Sequence, residues 1–276
     1  MEILGLEWWQ AVIVLLAGFW AGTINSVVGS GTLVTFPVLV SVGFPPVTAQ
    51  MSNAIGLVAA GFSGTWGYRR ELREAGAIAK KLTWASLAGG ILGAALLMQL
   101  PATVFDYAAP VLIVLAVLIV VFQPRLNAWV RHRREADGDE PVNPLAPPLP
   151  SGRVTPGLVL LIFLTGIYGG YFVAAQGVLL MGILGVFMTS GTLVHANAIK
   201  TWLSLAVNVI AAVGYLCFAF ERIDWTAVFL IAISSLLGGS LGARIGRRIQ
   251  PTVLRAVIVV VGLLGLINMV LRLLNG

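Results

Sequence analysis

The sequence predicts an all-α polytopic membrane protein made of two inverted repeats, with about five helical segments each and roughly eight to ten segments in all. First, residues 8–68 form a run of 61 residues without Asp, Glu, Lys or Arg. Because one crossing needs about 20 apolar residues, this run holds about three passes. Second, Gly29-Ser30-Gly31 and residues 43–46 interrupt the run. Third, similar interruptions return 148 residues later.

The composition supports a membrane protein and argues against a soluble core. Hydrophobic residues make up 58% of the chain, charged residues only 10%, and the mean hydropathy is +0.96. The net charge of +6 could suggest nucleic-acid binding, but 14 of the 17 basic residues lie in three short stretches that flank apolar segments. Such stretches are typical of topology signals, so no nucleic-acid partner is predicted. The single Cys217 excludes a disulfide framework.

The N-terminal repeat, residues 1–123, contains five apolar segments. They lie near 8–28, 32–42, 47–66, 83–100 and 103–123. The second segment is only about 17 Å long as a helix, so it cannot cross the bilayer alone. Residues 124–155 follow as a linker rich in proline and charge, which we expect to lie outside the bilayer.

The C-terminal repeat, residues 156–276, has the same layout. Its segments lie near 156–176, 178–190, 193–219, 225–248 and 252–273. Ordered matches between the halves indicate duplication. Gly18, Gly22 and Gly29 fall on Gly166, Gly170 and Gly177 at an offset of 148, and Asn53-Ala54 falls on Asn197-Ala198 at an offset of 144. The glycine pairs 89/93 and 238/242 also correspond, and their spacing predicts that helix backbones touch there.

The basic residues predict the orientation. If the loop with Arg69, Arg70 and Arg73 is cytoplasmic, and each broken segment returns with its short successor to the same side, the N-terminus lies outside the inner membrane. The linker 124–155 and the cluster at 244–255 are then cytoplasmic. If each broken segment and its short successor counted as one crossing, the two halves would be parallel and the basic cluster at 244–255 would face outward. The excess of basic residues expected on the cytoplasmic side argues against that arrangement. Five segments per repeat therefore predict antiparallel halves.

The substrate site of an inverted repeat lies near the midplane, where interrupted helices expose backbone groups that lipid cannot satisfy. We predict broken, half-membrane helices at Gly29-Ser30-Gly31 and at Gln176-Gly177. Each break leaves a new helix that starts inside the membrane. Free N–H groups and a partial positive charge at such an N-terminus favour an anion.

Polar residues gather around the two breaks and are predicted to form one substrate-binding shell. They are Asn25, Ser26, Ser30, Gln50, Ser52 and Asn53 in the first half and Gln176, Asn197 and Lys200 in the second. The alternative for the amides is a hydrogen bond between helices. The alternative for the hydroxyls of Thr23, Ser26 and Thr201 is a bond to a carbonyl of their own helix.

Two titratable residues stand out in the second half. Lys200 is the only Asp, Glu, Lys or Arg between Arg153 and Glu221. An ammonium group in hydrocarbon is costly, so Lys200 is expected to face the substrate site or water, the alternative being snorkelling to an interface. His195 is a candidate proton-linked group or an interfacial polar residue.

The sequence also excludes several chemistries. It contains no H-E-x-x-H, no nucleophile elbow and no histidine-rich cluster, so we predict no enzyme, no catalytic residue, no metal site and no cofactor. A membrane scaffold is a further alternative, which would not need a polar shell. The expected partners are a small anion and the lipid bilayer. The exact substrate, the direction of transport, the coupling ion and the oligomeric state are left open.

Four stretches resemble a known family. They are GTINSVVGSG at 22–31, GFPPVTAQMSNAIGL at 43–57, GIYGGYFVAAQG at 166–177 and HANAIK at 195–200. Together they resemble the TauE/SafE family of sulfite and organosulfonate exporters. Family members often have a third glycine where this chain has Ser30, and often Thr where it has Ser52.

The resemblance implies a transporter of small sulfur-containing anions, such as sulfite, sulfoacetate or other organosulfonates, across the inner membrane. A sulfonate spreads one charge over three oxygens, so N–H and hydroxyl donors with one cation suit it. Lys200, Gln176, Asn53, Asn25 and the helix N-termini after residues 31 and 177 are the expected donors. Another small anion, such as a carboxylate, remains the alternative substrate.

Overall fold

The computed structural model describes residues 2–3, 6–136, 154–187, 193–245 and 251–275. A two-residue antiparallel hairpin, β1 (Glu2–Ile3) and β2 (Leu6–Glu7), precedes the helices. The N-terminal half then contains α1 (Trp8–Val27), α2 (Thr32–Ser41), α3 (Pro46–Gly67), α4 (Arg69–Glu74), α5 (Gly76–Gln99) and α6 (Ala102–Ala136). The C-terminal half contains α7 (Pro156–Tyr171), α8 (Gln176–Phe187), α9 (Leu193–Phe218), a 3₁₀ turn (Phe220–Arg222), α10 (Trp225–Ile245) and α11 (Pro251–Asn275).

The predicted all-α polytopic membrane fold is confirmed. Six helices in the described ranges are long and apolar enough to cross a membrane, and they belong to α1, α5, α6, α9, α10 and α11. Helices α2, α7 and α8 are shorter apolar helices of 10–17 residues. The prediction that segment 32–42 is too short to cross agrees with the ten-residue α2.

The predicted linker begins as a helix. Helix α6 continues through residues 124–136, with Pro124 inside it, so this part of the linker is not irregular chain. Propagation of a helix adds one hydrogen bond per residue, so a long apolar helix extends readily into a polar sequence. Residues 137–153, with the acidic and proline-rich part of the linker, lie outside the described residues, as do Arg247 and Arg248.

Glycine allows the closest helix contacts. A Cβ atom added to Gly22 would lie 2.1 Å from the carbonyl oxygen of Ser235, so α1 and α10 meet backbone to backbone. A Cβ atom added to Gly89 would lie 2.1 Å from the carbonyl oxygen of Phe163, which joins α5 to α7 in the same way. The added atoms at Gly93, Gly238 and Gly242 would meet backbone atoms too. The predicted role of both glycine pairs is confirmed.

The neighbours of these glycines reveal the helix directions. Gly18 lies against Ser234 and Gly22 against Gly239, so α1 and α10 run parallel, and contacts of Gly56 and Gly239 align α3 with α10. By contrast, Gly61 lies against Leu205 and Gly64 against Thr201, so α3 and α9 are antiparallel. Helices α5 and α7 run in the same direction as α9. Contacts of Ser86 with Leu203 and of Gly90 with Ile210 align α5 with α9, and the contacts of Gly89 and Gly93 align α5 with α7.

The first predicted helix break is confirmed. Helix α1 ends at Val27 and α2 begins at Thr32, so Gly29-Ser30-Gly31 lies between them. Gly29 has a φ of +97°, a conformation that other residues rarely adopt. The N–H groups of Val28 and Gly29 both bond to the carbonyl of Ile24, which ends α1.

The second break lies slightly earlier than predicted. Helix α7 ends at Tyr171 and α8 begins at Gln176, so the interruption covers residues 172–175, and Gln176-Gly177 forms the first turn of α8. Val173 and Ala175 have φ values of 64° and 61°, although neither is glycine. Such conformations cost about 1–3 kcal/mol each and persist only where the surroundings enforce them. No glycine or proline within 172–175 marks the position in the sequence.

An aromatic cluster fixes the second break. Phe172 is fully buried, and its ring packs edge-on against Phe36 of α2 with centroids 5.3 Å apart. Phe105 of α6 contacts both rings and also Tyr171. Edge-to-face aromatic pairs contribute about 0.5–1.5 kcal/mol each beyond burial. Packing between the two halves therefore offsets the backbone strain at Val173 and Ala175.

Candidate substrate-binding site

The two broken regions meet where Gly29 of the first break packs against Gly177, in the first turn of α8 directly after the second break. A Cβ atom added to Gly29 would lie 2.8 Å from Cα of Gly177, and one added to Gly177 would lie 2.6 Å from the carbonyl oxygen of Gly29. Both positions therefore require glycine for this close approach. The predicted break glycines Gly29 and Gly177 form the contact, whereas Gly31 packs against Ala21 and Asn25 of α1.

A cavity lies directly beside this contact. Its empty space is about 470 Å³, including the part that is open to solvent. Helices α1, α3, α8 and α9 and the second break surround it. Its lining residues are Asn25, Ser26, Gly29, Leu57, Ala60, Gly61, Gly64, Val173, Gln176, Gly177, Lys200, Thr201, Ser204, Leu205 and Asn208.

Lys200 supplies the positive charge of the cavity. Its side chain is 1% exposed, and Nζ donates a hydrogen bond to the backbone carbonyl of Asn25 at 3.3 Å. The residues that line the cavity include no Asp or Glu. A buried ammonium group without a carboxylate is unfavourable by itself, so the arrangement favours the arrival of an anion. The side chain of Lys200 therefore lies at the cavity and not at the surface of the protein.

Gln176 presents its amide at the first turn of α8. The side chain is 1% exposed, and neither Oε1 nor Nε2 has a hydrogen-bond partner in the described part of the chain. The amide lies flat on Gly169, where an added Cβ atom would come within 2.3 Å of Cδ. Buried polar atoms are normally paired, so this amide is available to pair with a molecule that enters the cavity.

Two further polar residues of the cavity escaped the sequence analysis. Ser204 Oγ and Asn208 Oδ1 are buried and have no hydrogen-bond partner among the described residues. They follow Lys200 at spacings of four and eight, so all three side chains lie on one face of α9. That spacing is a signal in the sequence, and a search along the helix from Lys200 would have found both residues.

Asn25 lines the cavity and also bonds to the backbone at the start of α2. Its Oδ1 accepts a hydrogen bond of 2.7 Å from the backbone N–H of Gly31, just before α2. The Asn25 side chain thus accepts a hydrogen bond from one of the otherwise free N–H groups at the N-terminus of α2. Of its amide atoms, Nδ2 is the one left to donate towards a ligand.

Several predicted binding residues instead hold helices together outside the cavity lining. Asn53 is fully buried, accepts a hydrogen bond from Thr35 Oγ1 and donates one from Nδ2 to Thr32 Oγ1 at 3.3 Å. Both partners lie on α2, so Asn53 joins α3 to α2. Ser52 Oγ accepts a bond of 2.9 Å from the backbone N–H of Asp224, at the start of α10.

The remaining predicted residues are distributed around the first break. Ser26 lines the cavity, but its Oγ donates to backbone carbonyls of Gly22 and Gly239. Asn197 donates from Nδ2 to the carbonyl of Ser26 at 3.4 Å. Ser30 and Gln50 are buried with side-chain atoms that have no partner in the described ranges, and neither residue lines the cavity. Thr23 and Thr201 bond to carbonyls of their own helices.

His195 lies away from the cavity, at the start of α9. Its Nε2 is 2.8 Å from Oε2 of Glu74 on α4, and Arg70 Nε is 3.4 Å from the other carboxylate oxygen. The hydrogen bond with His195 lowers the pKa of Glu74 below its usual value. A lowered carboxylate pKa means that this tie is present above the ordinary glutamate range and is lost as the pH falls through the lowered value.

The described residues contain no group of three or more His, Cys, Asp or Glu side chains that could hold a metal ion. The site thus consists of amide, hydroxyl and ammonium groups beside helix N-termini. A multi-pass helical bundle with two broken helices meeting at a buried polar cavity has the architecture of a membrane transporter.

Comparison with known proteins identifies the family. The model of the family described as sulfite exporter TauE/SafE matches residues 14–269. The chain belongs to this family and is a multi-pass membrane transporter.

Named relatives agree with this class. A probable membrane transporter protein (ORF9) of Sinorhizobium sp is 28% identical, covering 90% of this chain and 87% of the relative. One of Haemophilus influenzae is 26% identical over 94% and 93% of the two chains, and YfcA of Escherichia coli K12, also called a probable membrane transporter protein, is 26% identical over 90% and 84%. No solved structure matches the chain.

Proposed function

We propose that this protein is a secondary transporter that moves small sulfur-containing anions, such as sulfite, sulfoacetate or other organosulfonates, across the inner membrane by alternating access. The observation that carries the proposal is the buried Lys200 in a cavity without carboxylates, beside the contact of two helix breaks. The family's description supplies the sulfur oxyanion, and the printed names of the relatives supply membrane transport.

The donors around the cavity suit an anionic head group. Lys200 Nζ makes one hydrogen bond to the protein and can donate further bonds, because an ammonium group carries three N–H donors. Gln176 Nε2 and Ser204 Oγ are unpaired among the described residues and can also donate. The N-terminus of α8 adds a partial positive charge. A single cation and several neutral donors bind an anion while still allowing its release.

Alternating access requires that the two halves exchange roles. The helix directions support this proposal, since α1 and α3 run opposite to α7 and α9. The helix packing is related in the same way. Helix α1 packs against α10, α3 and α2, and its counterpart α7 packs against the counterparts of those helices, α5, α9 and α8. We propose that these halves are inverted repeats around the contact of Gly29 with Gly177, with the N-terminus outside and the linker in the cytoplasm.

Ligand binding to the purified protein tests the proposal. Thermal shifts with sulfite, methanesulfonate and acetate, followed by competition among them, should show saturable binding of the sulfur anions. The variant Lys200→Met keeps an unbranched side chain of similar length without the charge. We expect it to bind about 10- to 100-fold more weakly, as for loss of a hydrogen bond to a charged group.

The same variant should also melt at a higher temperature than the wild type without ligand, because it removes an uncompensated buried charge. Weaker binding with higher intrinsic stability separates a ligand-binding lysine from a structural one. Unchanged binding by Lys200→Met would remove Lys200 from the mechanism. Acetate that displaces the sulfur anions at equal concentration would favour a carboxylate transporter instead, which could use the same lysine and helix end.

A further inference from the structure

The cavity has two chemically different long walls. At the offset of 144 residues that aligns Asn53 with Asn197, its α3 residues correspond to its α9 residues. The four α3 positions are Leu57, Ala60, Gly61 and Gly64, and the matching α9 positions are Thr201, Ser204, Leu205 and Asn208. The α3 side chains contain no polar atom, whereas three of the four α9 side chains do. Two helices that correspond in the predicted duplication thus form chemically different walls of the cavity.

The unpaired polar side chains of the cavity wall lie on α8 and α9, and none of them lies on α3. Gln176, at the first turn of α8, is 1% exposed and unpaired at both amide atoms, and Ser204 and Asn208 of α9 each have an unpaired oxygen within the described ranges. Lys200 lies on the same α9 face. A ligand that satisfies these groups therefore makes those polar contacts with α8 and α9, and the α3 side chains at the cavity offer it none.

The charge of the cavity limits the charge of the ligand. Lys200 is the single cation among the lining residues, and these include no arginine or histidine. A second negative charge on the ligand would enter a buried site without a counter-charge, which is strongly unfavourable. An inorganic dianion also carries oxygen atoms on all sides, and those facing Leu57, Ala60 and Gly61 would lose their hydrogen bonds to water without replacement.

We propose that the site selects a short organic monoanion, whose charged head group contacts Lys200 and Gln176 and whose carbon body lies on the α3 wall, with Ala60 and Leu57 limiting the length of that body. This inference rests on the proposed transport of sulfur-containing anions and narrows that class to singly charged organosulfonates, so that the doubly charged sulfoacetate and inorganic sulfite are expected to bind more weakly. Inorganic sulfate is excluded as a good ligand by its charge and its lack of an apolar side.

The alignment of α3 with α9 explains how the length of the ligand's carbon body is limited. Gly64 lies beside Thr201, next to Lys200, and Gly61 lies beside Leu205. Because α3 and α9 are antiparallel, Ala60 and then Leu57 lie progressively farther from the lysine, towards Asn208. Lys200 and Asn208 are about 12 Å apart along the helix axis. A body that starts at Lys200 thus passes Ala60 before it reaches Leu57.

Two substitutions with opposite expected effects test the inference. Dissociation constants would be measured for methanesulfonate, 1-propanesulfonate, 1-hexanesulfonate and sulfate on the purified full-length protein. Ala60→Val should shift the preference towards shorter sulfonates, and Leu57→Ala should shift it towards longer ones. The expected change in the dissociation constant is about fourfold for each methylene group that loses or gains contact. The wild type should bind methanesulfonate at least about tenfold more tightly than sulfate.

Leu97→Ala is the matched control, because Leu97 is an equally buried leucine on α5 that does not line the cavity. It should lower stability and leave the length preference unchanged. Equal changes in the dissociation constants of all sulfonates in both α3 variants would overturn this inference but not the proposed function. Sulfate binding as tight as methanesulfonate binding would have the same consequence. If the wild type bound neither sulfite nor any sulfonate, the proposed function would fall, and this inference with it.

Discussion

At the scale of single residues, burial and hydrogen bonding separate ligand-binding candidates from structural ones. Asn25, Gln176 and Lys200 line one cavity, whereas Asn53 and Ser52 connect helices. Both groups consist of polar residues inside apolar segments, and the sequence does not distinguish them. The difference is whether a neighbouring helix brings a matching donor or acceptor, as Thr32 and Thr35 do for Asn53.

Asn53→Ala tests this distinction. Removing the amide leaves two buried threonine hydroxyls of α2 without their partner, so we expect the free energy of unfolding to fall by about 1–3 kcal/mol. Ligand affinity of the folded protein should change by less than about threefold, an effect below 1 kcal/mol. Thermal denaturation and equilibrium binding on the same preparation measure both quantities. Lost binding with unchanged stability would instead assign Asn53 a direct contact with the substrate.

At the scale of elements, the helix breaks differ in what their sequences reveal. The first contains Gly29 with a positive φ, and glycine is a recognisable signal for such a conformation. The second has Val173 and Ala175 in the left-handed region, held by the aromatic packing of Phe172. The only sequence signal for the second break is the neighbouring Gly177. The prediction therefore places the break at 176–177, whereas the interruption lies at 172–175.

Gly177→Ala tests the contact between the breaks. The added methyl group would overlap the backbone of Gly29, which cannot move aside as a flexible side chain could. We expect a loss of stability of about 1–3 kcal/mol or more, as for overpacked cores, together with loss of ligand binding. Gly157→Ala is the control, because no atom lies within 4 Å of its added Cβ. Wild-type stability and binding in Gly177→Ala would show that the breaks need not touch.

At the scale of the whole molecule, the helix directions show which helix ends lie on the same side of the bundle. Helices α1, α3 and α10 run one way and α5, α7 and α9 the other, and the basic residues of α4 lie at the end of α3. If that end is cytoplasmic, as the positive-inside rule indicates, the turn at Phe220–Arg222 lies on the outer face.

Cysteine labelling tests this orientation. In a Cys217→Ser background, a cysteine at Arg222 should react with a membrane-impermeant maleimide added to intact cells, and a cysteine at Arg70 should not. After the cells are opened, both positions should react, which controls for buried thiols. Labelling of position 70 but not of position 222 in intact cells would reverse the proposed orientation.

The sequence by itself determined the membrane class, the presence of two interrupted regions and Lys200 as the buried cation, because long uncharged runs, glycine breaks and a lone charge are local features. Only the tertiary structure decided which polar residues share a cavity, since Asn25, Gln176 and Asn208 come from three helices. It also showed that the α3 wall of the cavity is apolar while the α9 wall is polar. Hydrogen-bond partners and facing cavity walls come from residues distant in the chain, so a local pattern such as the spacing of Lys200, Ser204 and Asn208 marks one wall but not the site.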